Sequence, residues 1–174
     1  MEYLNNFASR PHRKHFPMLQ YIIHAMQNAS ELIKYQQYQV QLAKHEHAIH
    51  ELLDHKLKII PVNFEGHAVT LVSYEDLLAI CDRRNEYDVA DSIGIFKLGH
   101  PERMNHDFIK MLIYQKKDQH FMTKDLAQHL GLKLLCHYPV SKQIAGNCSW
   151  ANVEAALPAA FAILNTDFDQ ETSA

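Results

Sequence analysis

The chain has 174 residues, of which 47% are hydrophobic and 21% are charged, and these ordinary values exclude a disordered or fibrous protein and indicate one globular domain. The formal net charge is −3 at pH 7, so we expect no broad basic surface and do not expect nucleic acid as a partner. The chain has 13 histidines, which is an unusually large number. Their protonation below about pH 6 is expected to reverse the sign of the net charge.

The first part of the chain is predicted to be helical. Apolar residues recur at helical spacing from Met18 to about Lys56, a stretch without proline or glycine, after a polar arm. The pattern predicts one long helix, or two helices joined near Asn28–Ser30 with Ser30 as the cap of the second.

The next part of the chain has the composition of short strands. The predicted strands are Lys58–Val62, His67–Ser73, Leu77–Cys81, Ile93–Leu98 and Leu132–Tyr138. Their β-branched and apolar residues alternate with turn residues, and Tyr74–Asp76 supplies the turn of a hairpin between the second and the third strand.

Three helices are predicted around the later strands. Pro101 is expected to open the first, Thr123 to cap a short second helix that Gly131 stops, and a third helix is expected to start near Cys148, with Pro158 inside it.

These elements predict an α+β fold, with a small central antiparallel sheet flanked by helices and preceded by an N-terminal helical element. We expect residues 1–56 to form an arm and a helical element packed on the domain. Residues 57–165 are expected to form the domain itself, and residues 166–174 an acidic tail.

The three cysteines, Cys81, Cys136 and Cys148, cannot all pair with one another, and their spacing does not resemble a metal site. We expect a reducing compartment and at least one thiol available for chemistry. No run of the sequence approaches the roughly 20 apolar residues of a membrane helix. The N-terminus lacks the apolar region of a signal peptide, so neither a span nor a secretory leader is expected.

Cys148 is the strongest candidate nucleophile. It follows Gly-Asn and opens the last predicted helix, where the helix dipole favours a thiolate. Gln143 lies five positions earlier, and its side-chain amide can donate to an oxyanion together with the Cys148 backbone N–H. The alternative is a buried cysteine that only caps a helix. Cys81 and Cys136 lie in apolar runs and are expected to be inert.

His67 is the best candidate base, because a histidine at the start of a strand can be aimed across a cleft. Asp82 ends the neighbouring strand of the hairpin, so the two residues are expected to be near cross-strand partners. The carboxylate is then expected to orient the imidazole. The alternatives are a surface histidine, and an ion pair of Asp82 with Arg83 and Arg84.

The order of His, Asp, Gln and Cys resembles the CE clan of cysteine proteases, a circularly permuted relative of the papain arrangement. The segments HAVTLV and LLAICD are similar to the clan's His and Asp hairpin, and QIAGNCSW is similar to its Gln and Cys loop. More narrowly, GHAVTLV, ICDRR and GNCSWAN resemble segments of type IV-secreted (Dot/Icm-type) effectors of intracellular bacterial pathogens. The resemblance covers about residues 58–165.

The resemblance implies a cysteine-dependent acyl hydrolase, a peptidase or isopeptidase of ubiquitin-like or host proteins. Carried over by position, the implied roles are Cys148 as nucleophile, His67 as base, Asp82 as orienting group, Gln143 as oxyanion donor, and Asn147 and Trp150 as substrate-binding residues. It also implies translocation from the bacterial cytoplasm into the host cytosol.

The sequence departs from the clan at three places. Gln143 lies one position nearer to Cys148 than the clan's Gln usually lies to its Cys. Ala68 stands where the clan usually has Trp, and Asn147-Cys148-Ser149 stands where it usually has Asp-Cys-Gly. There are two alternatives to the hydrolase. One is an acyltransferase or deamidase with the same triad. The other is a catalytically silent module that binds a host protein through its N-terminal helices.

A histidine-rich segment suggests a metal site only weakly. Its residues are His45, Glu46, His47, His50 and His55. His47 and His50 share a helix face, but no obvious third ligand lies beyond this helix, and zinc requires a closed tetrahedral set. We expect a polar helix face, with no metal and no cofactor.

Overall fold

The fold is described by a computed structural model for residues 18–35, 42–64, 67–82, 92–139 and 148–165. Within these ranges, five strands form one antiparallel sheet in the order β1-β2-β3-β4-β5. The strands are β1 (Leu57–Phe64), β2 (His67–Tyr74), β3 (Leu77–Cys81), β4 (Ser92–Lys97) and β5 (Lys133–Pro139). The predicted α+β class, with a small antiparallel sheet flanked by helices, is confirmed.

Five α-helices surround the sheet in the described ranges. They are α1 (Leu19–Lys34), α2 (Glu46–Leu53), α3 (His106–Tyr114), α4 (Leu126–Leu130) and α5 (Cys148–Asn165). Among the residues that the structure describes, no helix combines the length and the apolar character needed to cross a bilayer.

The helices divide between the two faces of the sheet, because successive side chains of a strand point to opposite sides. On one face, which we call the α5 face, Val72 and Ala79 pack against buried residues of α1 and α5. On the other, which we call the α3 face, Leu71 and Leu78 pack against α2, α3 and α4. The sheet therefore carries two separate apolar layers.

Of the two predictions for the N-terminal segment, the structure has two helices rather than one, but the predicted junction near Asn28–Ser30 is wrong. α1 runs through Asn28 and Ser30 to Lys34, so Ser30 lies inside the helix and caps nothing. Burial of one apolar side of α1 against the sheet outweighs the weak helix preference of Asn and Ser. The side-chain amide of Asn28 instead donates to the carbonyl oxygen of Leu52, at 3.2 Å, and joins α1 to α2.

The predicted start of the helix after β4 is also wrong. Pro101 opens only a 3-10 turn that ends at Arg103, and α3 begins at His106. Asn105 is the better cap, because its side-chain oxygen accepts a hydrogen bond from the Phe108 N–H at 3.0 Å.

Thr123 does not cap the short helix as predicted. It lies inside a π-helical turn, Phe121–Asp125, that continues directly into α4. The stop at Gly131 is confirmed, because this glycine has a φ of 63°, the left-handed conformation that ends a helix.

Lys117 is a buried cation at the end of α3, with an exposed fraction of 8%. Its ammonium donates to the carbonyl oxygens of Met111 and Gln115, which satisfies groups at the C-terminal end of the helix. Burial lowers the pKa of Lys117 to about 8, from an ordinary value of 10.5.

Lys117 is therefore expected to make stability depend on pH under alkaline conditions. Between about pH 8 and 10.5 the unfolded chain binds more protons at this group than the folded chain, so stability rises with pH. Relative to Lys117→Met, the free energy of unfolding of the wild type should rise by about 1–2 kcal/mol across this window. Urea denaturation at several pH values measures this, and a difference that is constant with pH would contradict it.

Candidate functional site

His67 is positioned by the hairpin of β1 and β2. It is the first residue of β2 and lies directly opposite Phe64, the last residue of β1. Its side chain is 8% exposed. Strand alternation places it on the α3 face, together with Val69 and Leu71.

Asp82 follows the last residue of β3 and contacts His67. The distance from His67 Nε2 to Asp82 Oδ1 is 2.9 Å, and the Asp82 side chain is 22% exposed. Thr70 lies opposite Cys81 in the register, so Asp82 comes next to Val69 and reaches His67 diagonally. The structure thus brings together the two residues that the hairpin pattern predicts to be close.

The contact determines how the imidazole is oriented. An ionised carboxylate only accepts hydrogen bonds, so in neutral His67 the Nε2 atom donates to Asp82. The proton then resides on Nε2, and Nδ1 carries the lone pair. A general base requires this state, since one ring nitrogen is anchored and the other can accept a proton.

The thiol nearest to Asp82 along the chain is not a nucleophile. Cys81 is fully buried on the α5 face, and burial together with the neighbouring Asp82 charge raises the pKa of its thiol far above the ordinary range. A thiol that stays protonated is unreactive. Cys136 is partly buried on β5, so the prediction of a core position holds only in part for this residue.

α5 begins at Cys148, as the sequence predicts. Further along the helix, Ala155 and Ala159 lie about one turn apart. Both alanines are buried against the α5 face of the sheet. The middle of α5 therefore packs on the α5 face of the sheet.

Three further residues are predicted for the site. Gln143 and Asn147 lie outside the described residues, and Trp150 is in the first turn of α5. The structure thus places His67 and Asp82 in contact and Cys148 at a helix start.

The relation between α5 and His67 was not evident from the sequence. α5 packs on one face of the sheet, whereas His67 and its partner Phe64 lie on the other. The helix that begins at Cys148 and the His67 side chain therefore lie on opposite faces of the sheet.

A second cluster of polar side chains joins α2 to α3. Ligand atoms of Glu46, His50 and Asp107 lie within 4.8 Å of one another. Lys110 forms ion pairs with both carboxylates, at 2.8 Å to Asp107. Its ammonium lowers the pKa of each carboxyl group.

The prediction that no third ligand lies beyond the histidine-rich helix is corrected by this cluster, because Asp107 comes from α3. Sequence spacing could not show it, since the two helices are far apart in the chain. The cation among these groups is the Lys110 ammonium, and its hydrogen bonds and ion pairs tie α2 to α3.

Comparison with known proteins relates the chain to a bacterial effector. No family model matches it, and no curated protein matches it. A solved structure described as that of the Legionella effector AnkH is similar, with 31% sequence identity, a TM-score of 0.77 and coverage of 98% of this chain. The chain spans 38% of the length of the AnkH chain. This similarity supports the predicted resemblance to a Dot/Icm-type effector.

Proposed function

We propose that this chain is a cysteine-dependent acyl hydrolase of an effector protein, with the papain-like arrangement of the CE clan. Its proposed reaction is that of a peptidase or isopeptidase on ubiquitin-like or other host proteins. The observation that carries the proposal is the 2.9 Å contact between His67 Nε2 and Asp82 Oδ1. A buried imidazole anchored to a carboxylate at the end of a sheet is two thirds of a catalytic triad.

In the proposed reaction, His67 Nδ1 takes the proton from the Cys148 thiol, and the thiolate attacks the carbonyl carbon of the substrate. The Cys148 N–H and the Gln143 amide donate to the oxyanion that forms. The protonated imidazole then gives its proton to the leaving amine, and a thioester remains. His67 next takes a proton from water, which attacks the thioester and releases the acid and the thiol.

The start of α5 supports Cys148 as the nucleophile. The positive end of a helix dipole stabilises a thiolate, and α5 is long, from Cys148 to Asn165. Asn147 and Trp150, which flank the nucleophile in the sequence, are proposed to contact the substrate. No metal or cofactor takes part in this chemistry.

The similarity to the Legionella effector supports the proposed setting. We propose that the protein is made in a bacterial cytoplasm and translocated into the host cytosol, where its partner is a host protein. Neither nucleic acid nor a membrane span belongs to this proposal.

A catalytically silent module that binds a host protein is the second candidate. This candidate is favoured because α5, which carries Cys148, packs on the face of the sheet opposite the His67 side chain. An acyltransferase or deamidase would use the same thioester and differ only in the group that attacks it.

A panel of ubiquitin-like proteins that carry a C-terminal electrophile tests the proposed substrate class. We expect at least one member to form a covalent adduct with the full chain at Cys148. The matched control Cys148→Ala should form none, while Cys136→Ala should form the same adduct. Mass spectrometry identifies the labelled residue. A panel without any adduct at Cys148 would contradict a protease of ubiquitin-like proteins.

A further inference from the structure

Phe64 forms the second contact of the His67 ring. The ring centroids are 5.4 Å apart and the ring planes are inclined by 85°, the edge-to-face arrangement that aromatic rings prefer. Phe64 is 3% exposed and belongs to the apolar layer that contains Val62 and Val69. The Phe64 ring is therefore packed against core side chains while it contacts the imidazole.

The two contacts of His67 constrain different motions. The hydrogen bond to Asp82 holds one ring atom, but a single hydrogen bond allows the ring plane to tilt about that point. The contact with Phe64 limits this tilt, because a rotated imidazole would overlap a side chain that cannot move aside in a packed core. Register supports this role, since Phe64 is the direct cross-strand partner of His67.

We propose that Phe64 is a positioning residue that holds the His67 imidazole with Nε2 toward Asp82 and Nδ1 toward the end of the sheet. It touches no reacting atom in the proposed mechanism. The effect of Phe64 on catalysis rests on the proposed function. The effect of Phe64 on the orientation of the imidazole does not, because it requires only the contacts of His67 with Phe64 and Asp82.

Nitrogen-15 NMR of the histidine rings tests this role directly in the full chain. The measurement uses a Cys148→Ala background, because the thiolate of the proposed pair would otherwise keep the imidazole protonated on both nitrogens. Above about pH 8 an ordinary imidazole is neutral, and the two ring nitrogens then report which one carries the proton. With Phe64 in place we expect the His67 proton on Nε2. In Phe64→Leu the ratio of the two tautomers should move toward equality by at least several-fold, and Phe64→Tyr, which keeps the ring, should retain the ratio found with Phe64.

Two matched variants separate this effect from a loss of stability. Ile60→Val removes buried volume from the same face of β1 without touching His67. Phe108→Leu removes a different Phe–His ring contact, the one with His129 at a centroid distance of 4.4 Å. Neither should change the His67 tautomer ratio. If Phe64→Leu does not fold, Phe64→Met has about the same volume as Leu but an unbranched side chain that adapts to irregular core gaps, and it gives the same readout.

The alkylation rate of Cys148 tests whether the orientation of the His67 imidazole affects the thiol. Alkylation of Cys148 by iodoacetamide should be about tenfold slower in Phe64→Leu than in Phe64→Tyr, because a small displacement of a catalytic group is costly. If wild-type Cys148 reacts slowly and independently of His67, the proposed function fails while the NMR result still decides the role of Phe64. An unchanged tautomer ratio in folded Phe64→Leu overturns the inference.

Discussion

Replacement of Asp82 by alanine is expected to slow the alkylation of Cys148 by about 10- to 100-fold at a pH of about 6.5. In the proposed mechanism, the reactive species is a thiolate paired with a protonated imidazole. Asp82 stabilises that imidazolium through the 2.9 Å contact with His67 Nε2, and it keeps Nδ1 as the proton acceptor. Without the carboxylate, the imidazole loses both its anchor and its countercharge.

The experiment has a graded series and a matched control. Asp82→Asn keeps an oxygen that accepts from Nε2 but loses the charge, so its rate should lie between those of the wild type and Asp82→Ala. Asp76→Ala removes an exposed carboxylate in the turn between β2 and β3, where Asp76 pairs with Lys97, and should leave the rate unchanged. Equal rates for Asp82→Ala and Asp76→Ala would exclude the orienting role.

The strands were predictable because their signals are local. β3 was predicted with its observed bounds, Leu77–Cys81, and the prediction for β2 differs only at Tyr74. Each strand consists of β-branched or apolar residues, and a two-residue turn separates them. The contact of His67 with Asp82 follows from this hairpin alone, and for that reason sequence reasoning could anticipate it.

The end of α1 was not predictable, because the chain has neither proline nor glycine there. A distant residue contributes to it instead. The hydroxyl of Tyr114 in α3 donates to the carbonyl oxygen of Leu32 at 3.0 Å and satisfies a group in the last turn of the helix. Such a contact depends on how α1 and α3 pack, which periodicity along one segment does not contain.

The relation of the candidate nucleophile to its base is also a matter of packing. The sequence predicts that α5 starts at Cys148 and that His67 starts β2. It does not predict that α5 lies on the face of the sheet opposite His67, because this requires the strand order and the register of all the strands. The cluster around Lys110 was missed for the same reason.

Alkylation of the individual cysteines across about pH 5–9 tests the pairing of Cys148 with His67 most directly. Cys81 serves as an internal control, because its burial keeps the thiol protonated and inaccessible. Mass spectrometry after limited exposure of the full chain to iodoacetamide gives the rate at each thiol, for the wild type and for His67→Ala.

In the wild type, Cys148 should react well below pH 8, where an ordinary thiol is protonated, and at least about tenfold faster than Cys136. In His67→Ala the profile of Cys148 should move to higher pH, because the imidazolium that stabilises the thiolate is gone. Slow reaction of Cys148 at the rate of Cys136, or an identical profile in His67→Ala, would contradict a shared proton between this thiol and this imidazole.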